Sequence, residues 1–128
     1  MHQLFSVLLA DDNATWRRDA ARWLEENGLF VLNASTGIEA IEKARKYNLD
    51  VSILDMHMPD MTGIEIIRAF RSEGIIIPCI LVSAESSQEL ILKALEEGAF
   101  TFLQKPVSPD LLKYTVERAI RKNLEDLF

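Results

Sequence analysis

Short apolar runs alternate with amphipathic segments along the whole chain, and this alternation constrains the fold more than any other feature. The runs span residues 4–10, 29–34, 51–54, 79–82 and 100–103. Apolar runs of this length that are bounded by turn residues predict buried β-strands. Because each run is apolar throughout, the strands are expected to be covered on both faces of a sheet.

Helix signals mark the segments between these runs. Asn13, Thr62 and Ser108 can each cap a helix, because their side-chain oxygens accept a hydrogen bond from a free backbone N–H. Pro109 and Asp110 strengthen the last start, since proline suits the first helical turn and an acid complements the helix dipole. The predicted helices begin near residues 13, 36, 62, 87 and 108; the first four end near 28, 47, 74 and 97, and residues 124–128 remain helix-compatible.

Apolar side chains recur at helical spacing within these segments. Ile38, Ile41 and Ala44 predict the buried stripe of the second helix. Trp16 and Trp23 share one face of the first helix, and packing in the core explains them better than a cofactor platform does.

Strands that alternate with helices through short links imply parallel strands, right-handed crossovers and helices on both faces. The predicted fold class is therefore α/β with a doubly wound parallel sheet. A chain of 128 residues suits one domain, predicted to span 1–128, and no Pro/Gly/Ser-rich linker divides it.

Composition excludes several classes of function. The net charge of -6, spread along the chain, disfavours direct binding to a nucleic-acid backbone. No apolar stretch approaches the roughly 20 residues that span a bilayer, so a membrane protein is not expected. Cys79 is the only cysteine, which rules out a disulfide within the chain and favours a cytoplasmic protein. No G-x-G-x-x-G or P-loop motif is present to hold a nucleotide.

Polar residues follow four of the predicted strands at their carboxyl ends. Asp11 and Asp12 follow the first, Asp55 the third, Ser83 the fourth and Lys105-Pro106 the fifth. In open parallel sheets the ligand crevice lies beyond these ends. A carboxylate there is costly to desolvate without a compensating cation, and Mg²⁺ prefers such oxygen ligands. The three acids therefore indicate a magnesium site.

Each of these residues has an ordinary explanation when it is taken alone. Asp11 and Asp12 could simply precede a helix cap, and Asp55 could be a turn residue. Ser83 could be a local cap and Lys105 a solvated charge. Their joint placement at neighbouring strand ends favours a shared site.

This set of motifs resembles the receiver domain of two-component response regulators over essentially the whole chain. The resemblance implies a flavodoxin-like strand order 2-1-3-4-5. The residues that carry it are Asp11-Asp12, Asp55 with Met58-Pro59 and Gly63, Ser83-Ala84, Gly98-Ala99 and Lys105-Pro106.

The resemblance also implies a role for each site residue. Asp55 would accept a phosphoryl group from a histidine kinase or a phosphotransfer protein. The implied Mg²⁺ ligands are Asp12, Asp55 and the backbone carbonyl of His57, with Asp11 acting through water. The implied phosphoryl-binding residues are Ser83, Ala84 and Lys105; Ser83 and Phe102 would form the switch, and the Lys105-Pro106 bond is expected to be cis, an isomer open to X-Pro bonds.

The predicted fourth helix is unusually apolar around its circumference. Leu90, Ile91, Leu92, Ala94 and Leu95 cover about 200°, wider than the roughly 100° stripe of a surface helix. We expect part of this surface, with the fifth strand, to contact an output domain or a second copy of the chain.

Two other classes of function remain open at this stage. An aspartyl-phosphate phosphatase generally needs a second aspartate two residues after the nucleophile, but His57 occupies that position, so turnover is not expected beyond slow autodephosphorylation. His57 and Glu85 occupy positions that in receivers influence this rate. The other class is a protein-interaction module that works without phosphorylation.

Overall fold

The computed structural model describes residues 4–126, in which strands and helices alternate strictly. The strands are β1 (Ser6–Ala10), β2 (Phe30–Ala34), β3 (Val51–Asp55), β4 (Cys79–Ser83) and β5 (Thr101–Gln104). The helices are α1 (Ala14–Glu26), α2 (Gly37–Lys46), α3 (Gly63–Ser72), α4 (Gln88–Glu96) and α5 (Pro109–Glu125). All neighbouring strands are parallel, in the order β2-β1-β3-β4-β5, so the predicted fold class and strand order are confirmed. Of the helix-compatible segment 124–128, the last two residues lie outside the described residues.

The strands lie where the apolar runs predicted them, with small shifts at their ends. β1, β2 and β5 begin one or two residues later than predicted, whereas β3 and β4 extend to include Asp55 and Ser83. Every residue of β3 and β4 is buried, as expected for central strands of a doubly wound sheet. The edge strand β2 is partly open to solvent, with Phe30 and Asn33 exposed.

Each helix begins with a side-chain cap, which explains why the helices start where they do. The caps are Asn13, Thr36, Thr62, Ser87 and Ser108, each of which accepts a hydrogen bond from the backbone N–H three residues on. Thr62 and Glu65 form a complete capping box at α3. None of the helices described between residues 4 and 126 combines the length and apolarity needed to cross a bilayer.

The buried stripe of α2 differs from the prediction at one position. Ile38 is 57% exposed, and the stripe instead consists of Gly37, Ala40, Ile41 and Ala44. Gly37 is buried because Met61 packs against it so closely that a Cβ at Gly37 would lie 2.7 Å from the Cβ of Met61. Ile38 lies about 100° around the helix from Gly37, away from this buried stripe.

Two apolar layers cover the sheet, one on each face. One contains residues of α2, α3 and α4, including Ile41, Ile66 and Ala94. The other contains residues of α1 and α5, including Leu24 and Val116. Helices on both faces are thus confirmed.

The loop after β3 is tied to two neighbouring elements. The Asp60 carboxylate accepts hydrogen bonds of 2.9 Å from the backbone N–H groups of Gly37 and Ile38, and these bonds lower its pKa. Gly63 lies so close to the sheet that an added Cβ would be 2.4 Å from Leu81 Cδ2. The loop that follows Asp55 is therefore held against the end of the sheet.

Candidate functional site

Three carboxylates meet at the carboxyl ends of β1 and β3. Asp11 and Asp12 follow β1, and Asp55 is the last residue of β3. One oxygen from each carboxylate lies within 4.8 Å of the others. Asp11 is completely buried, Asp55 is 7% exposed, and Asp12 lies at the open side of the cluster. The parallel sheet therefore brings the three predicted acids together.

Lys105 supplies the cation that faces this cluster. Its Nζ lies 2.8 Å from Asp11 Oδ2 and 3.7 Å from Asp55 Oδ1. The Lys105 backbone N–H donates to the Ser83 carbonyl at 2.8 Å, which ties the loop after β5 to the end of β4. The Lys105–Pro106 peptide bond is cis.

The pKa of Asp55 is raised to about 6. Burial is the main cause, followed by the negative charge of Asp11. The ammonium of Lys105 and the backbone N–H of His57 act in the opposite direction but do not outweigh burial. The acid at the end of β3 is thus destabilised in its charged form when no further cation is present.

The donor set fits a hard divalent cation. Three carboxylates face one ammonium group, which leaves the cluster short of positive charge. All the available side-chain ligand atoms of the cluster are oxygens, the type that Mg²⁺ prefers, and the exposed Asp12 leaves room for retained waters. Asp11, Asp12 and Asp55 could therefore hold Mg²⁺.

Two neighbours of Asp11 and one of Lys105 could not be recognised as site residues from the sequence. The Asn13 N–H donates to Asp11 Oδ1 at 2.8 Å, and the Arg17 guanidinium donates to the Asp11 carbonyl. The ring of Trp16 lies beneath Lys105, with 4.9 Å between Nζ and the ring centroid. The sequence predicts Asn13 only as a cap and Trp16 only as core. Trp16 does pack against the α1/α5 layer, but its ring also borders the site.

The other predicted residues lie around the cluster at different depths. Ser83 is buried, and its Oγ accepts a hydrogen bond from the Glu85 N–H at 3.1 Å. Ala84 is exposed, and Phe102 is half-buried on β5 beside Leu81. His57 and Glu85 come from the loops after β3 and β4 and join through a 3.1 Å contact between Nε2 and Oε2.

One side of α4 is only partly covered. Ala94 is buried and Leu90 and Ile91 are half-buried, whereas Leu92 and Leu95 are 52% and 46% exposed. The wide apolar surface predicted for this helix is thus divided into a packed part and an open part.

The fold and the site together define a flavodoxin-like, CheY-like α/β protein with an acidic pocket at the carboxyl edge of its sheet. Residues 7–117 match the model of the response regulator receiver domain, and the chain belongs to this family. Receiver domains are signalling modules of two-component systems. They typically bind Mg²⁺ in an acidic pocket and interact with histidine kinases and output domains. The predicted family is confirmed.

Individual relatives agree with this assignment. The chain is 29% identical over 119 residues to the chemotaxis protein CheY of Pseudomonas aeruginosa, covering 91% of this chain and 96% of that protein. It is 28% identical over 123 residues to a cyclic di-GMP phosphodiesterase of Thermotoga maritima, covering 96% of this chain but 33% of that protein. The structure of chemotaxis protein CheY4 of Vibrio cholerae superposes with a TM-score of 0.87 and 34% identity, covering 91% of this chain and 99% of that one. In several further regulators the chain spans between 19% and 53% of the length.

Proposed function

We propose that this chain is a phosphorylation switch in which Asp55 accepts a phosphoryl group from the phosphohistidine of a histidine kinase or a phosphotransfer protein. The observation that carries the proposal is the placement of a nearly buried Asp55 beside Lys105, with Asp11 and Asp12 completing an acidic cluster. We also propose that residues 1–128 form one receiver domain.

In the proposed reaction Asp55 is the nucleophile. A carboxylate oxygen attacks phosphorus as the bond between phosphorus and the donor imidazole nitrogen breaks, and the bonding pair stays on that nitrogen. The product is an acyl phosphate on Asp55. Lys105 and the Ser83 hydroxyl bind phosphoryl oxygens, together with the backbone N–H of the exposed Ala84.

The acids around Asp55 would hold Mg²⁺. Asp12, Asp55 and the His57 backbone carbonyl are the proposed direct ligands, and the buried Asp11 would act through a water molecule. When bound, the ion supplies positive charge that lowers repulsion between the carboxylates and an incoming phosphoryl group.

The switch would connect the site to the face formed by α4 and β5. Ser83 lies at the end of β4, and Phe102 lies beside that strand on β5. A shift of Ser83 towards a phosphoryl oxygen would let Phe102 turn inward, and about 1.4 kcal/mol of differential binding changes affinity for a partner tenfold. An output domain or a second copy of the chain would bind this face through contacts with Leu92 and Leu95.

Phosphorylation should change hydrogen exchange in this face. After incubation with acetyl phosphate and Mg²⁺, we expect altered amide exchange in α4 and β5, measured by mass spectrometry of peptides. Ser83→Ala should keep the phosphoryl adduct but reduce the change. Identical exchange with and without the adduct would rule out this switch face.

Intact mass tests the acceptor role directly. Wild-type protein with acetyl phosphate and Mg²⁺ should gain one phosphoryl group, and EDTA should prevent the gain. Asp55→Asn should gain none because it lacks the nucleophilic carboxylate. Asp19→Asn makes the same change of charge on α1, away from the cluster, and should react like wild type.

Other outcomes of this experiment favour the competing functions. Release of many phosphates per chain would indicate a turnover enzyme, whereas we expect only slow autodephosphorylation, influenced by the His57 and Glu85 side chains. A folded wild-type protein that forms no adduct would indicate an interaction module. Phosphohistidine donors arise where ATP is available, which favours a cytoplasmic protein. The net charge of -6 disfavours direct contacts with nucleic acid, and we propose no direct contact with a membrane.

A further inference from the structure

We infer that Trp16 is a positioning residue for Lys105 in the phosphoryl-transfer reaction, an inference that rests on the proposed function. The Lys105 Nζ lies 4.9 Å from the centroid of the Trp16 ring, within the distance at which an ammonium is attracted to an aromatic face. Tryptophan provides the strongest such attraction of the aromatic residues.

Four residues, one of which is Lys105 itself, form a closed cycle of contacts. The Trp16 backbone N–H donates to Asn13 Oδ1 at 3.0 Å, and the Asn13 N–H donates to Asp11 Oδ1 at 2.8 Å. Asp11 Oδ2 accepts a hydrogen bond from Lys105 Nζ at 2.8 Å, and the contact between Lys105 Nζ and the Trp16 indole closes the cycle. The N-terminus of α1 is thereby coupled to the ammonium group.

The aromatic face attracts the ammonium without accepting a hydrogen bond and without adding negative charge, whereas another carboxylate would do both. Attraction between a cation and the ring quadrupole needs no hydrogen-bond acceptor, so the N–H donors of Lys105 stay available for Asp11 and for a phosphoryl oxygen. The ring adds no negative charge beside a site that must receive an anionic group. It also shields one side of the ammonium from water, which strengthens the electrostatic effect of Lys105 within the site.

Trp23 provides a matched control on the same helix. It lies on the same side of α1 as Trp16 and also packs, half-buried, against the α1/α5 layer. Among the cation–aromatic contacts of residues 4–126, none involves Trp23. A loss of packing alone should therefore affect variants of both tryptophans.

Nuclear magnetic resonance can test the contact without any phosphorylation. Ring currents should shift the side-chain methylene protons nearest the Lys105 ammonium upfield in wild type. We expect Trp16→Leu to remove this shift and Trp23→Leu to keep it. A Lys105 side chain with the same shifts in wild type and Trp16→Leu would overturn the inference.

The rate of phosphorylation tests the consequence. With acetyl phosphate and saturating Mg²⁺, Trp16→Leu should lower the second-order rate constant about fivefold, equivalent to about 1 kcal/mol at 1.4 kcal/mol per factor of ten. Trp16→Phe keeps an aromatic face and should stay within about twofold of wild type. Trp23→Leu should react at the wild-type rate, and Mg²⁺ affinity should be unchanged in all the variants.

The outcomes separate this inference from the proposed function. Equal rates for wild type and Trp16→Leu would overturn the inference alone, as would equal losses in Trp16→Leu and Trp23→Leu or a parallel loss of Mg²⁺ affinity. If wild type itself forms no adduct, the proposed function fails, and the role of Trp16 fails with it because no reaction needs a positioned Lys105.

Discussion

Lys105→Met is expected to lower the free energy of unfolding of the metal-free protein by about 3 kcal/mol. The Asp11 carboxylate is completely buried and would lose the ammonium group 2.8 Å away. Removing one partner of a buried ion pair is costly because the remaining charge is left uncompensated. Methionine keeps the apolar stem of the lysine, so the loss reports mainly on charge. Chemical denaturation in EDTA at neutral pH measures the difference.

Mg²⁺ and a second lysine variant serve as controls. A ligand at a hundredfold its dissociation constant stabilises the folded state by about 2.7 kcal/mol, so Mg²⁺ should bring Lys105→Met close to the stability of metal-free wild type. Lys122 pairs with Asp126 at 3.2 Å on the open surface. Lys122→Met should therefore change stability by less than about 1 kcal/mol. A loss in Lys105→Met no larger than in Lys122→Met would contradict the prediction.

Much of the fold could be predicted because local signals and tertiary structure agree. The Ser108-Pro109-Asp110 start predicts a helix near residue 108, and α5 begins at Pro109 with Ser108 as its cap. Apolar runs predict the central strands well, since burial on both faces leaves no polar position inside them. The sequence does not mark the ends of the strands, because the position where pairing stops depends on the neighbouring strand, as at Asp55 beside Val82.

Ile38 shows where local periodicity fails. Its spacing from Ile41 predicts burial, but the buried face of α2 includes Gly37, which packs against Met61. Met61 belongs to the loop after β3, which Asp60 also ties to the start of α2. A contact between segments so far apart in sequence leaves no periodic signal.

The candidate site is likewise only partly predictable from the sequence. Parallel strands bring their carboxyl ends to one edge, so Asp11, Asp55 and Lys105 could be expected together from their positions alone. Trp16 could not, because helical spacing places it correctly in the α1/α5 layer but does not show that its ring also reaches Lys105. That contact depends on how the loop after β5 passes the first turn of α1.

Asp55→Asn is expected to change stability in the opposite direction to Lys105→Met. In EDTA at pH 7.5 it should raise the free energy of unfolding by about 2 kcal/mol, because it removes a charge that burial and Asp11 destabilise. The folded protein holds the Asp55 proton up to about pH 6, whereas the unfolded chain releases it near 3.8. Between these values the folded state binds more protons, so wild type gains stability relative to Asp55→Asn as the pH falls. The advantage of the variant should shrink between about pH 7 and pH 4.

Asp60→Asn is the matched control, since it makes the same substitution at an acid whose pKa is shifted the other way. The Gly37 and Ile38 N–H groups lower the pKa of Asp60, so its charge stabilises the fold above its unfolded pKa and this stabilisation is lost in acid. Asp60→Asn should therefore be less stable than wild type at neutral pH, with the difference fading as the pH falls below about 4. Denaturation curves for both variants from about pH 3 to about pH 8 measure these trends. If Asp55→Asn and Asp60→Asn shifted stability in the same direction at neutral pH, the charged form of Asp55 would not be destabilised in the folded protein. The conclusion that Asp55 needs an added cation would then be wrong.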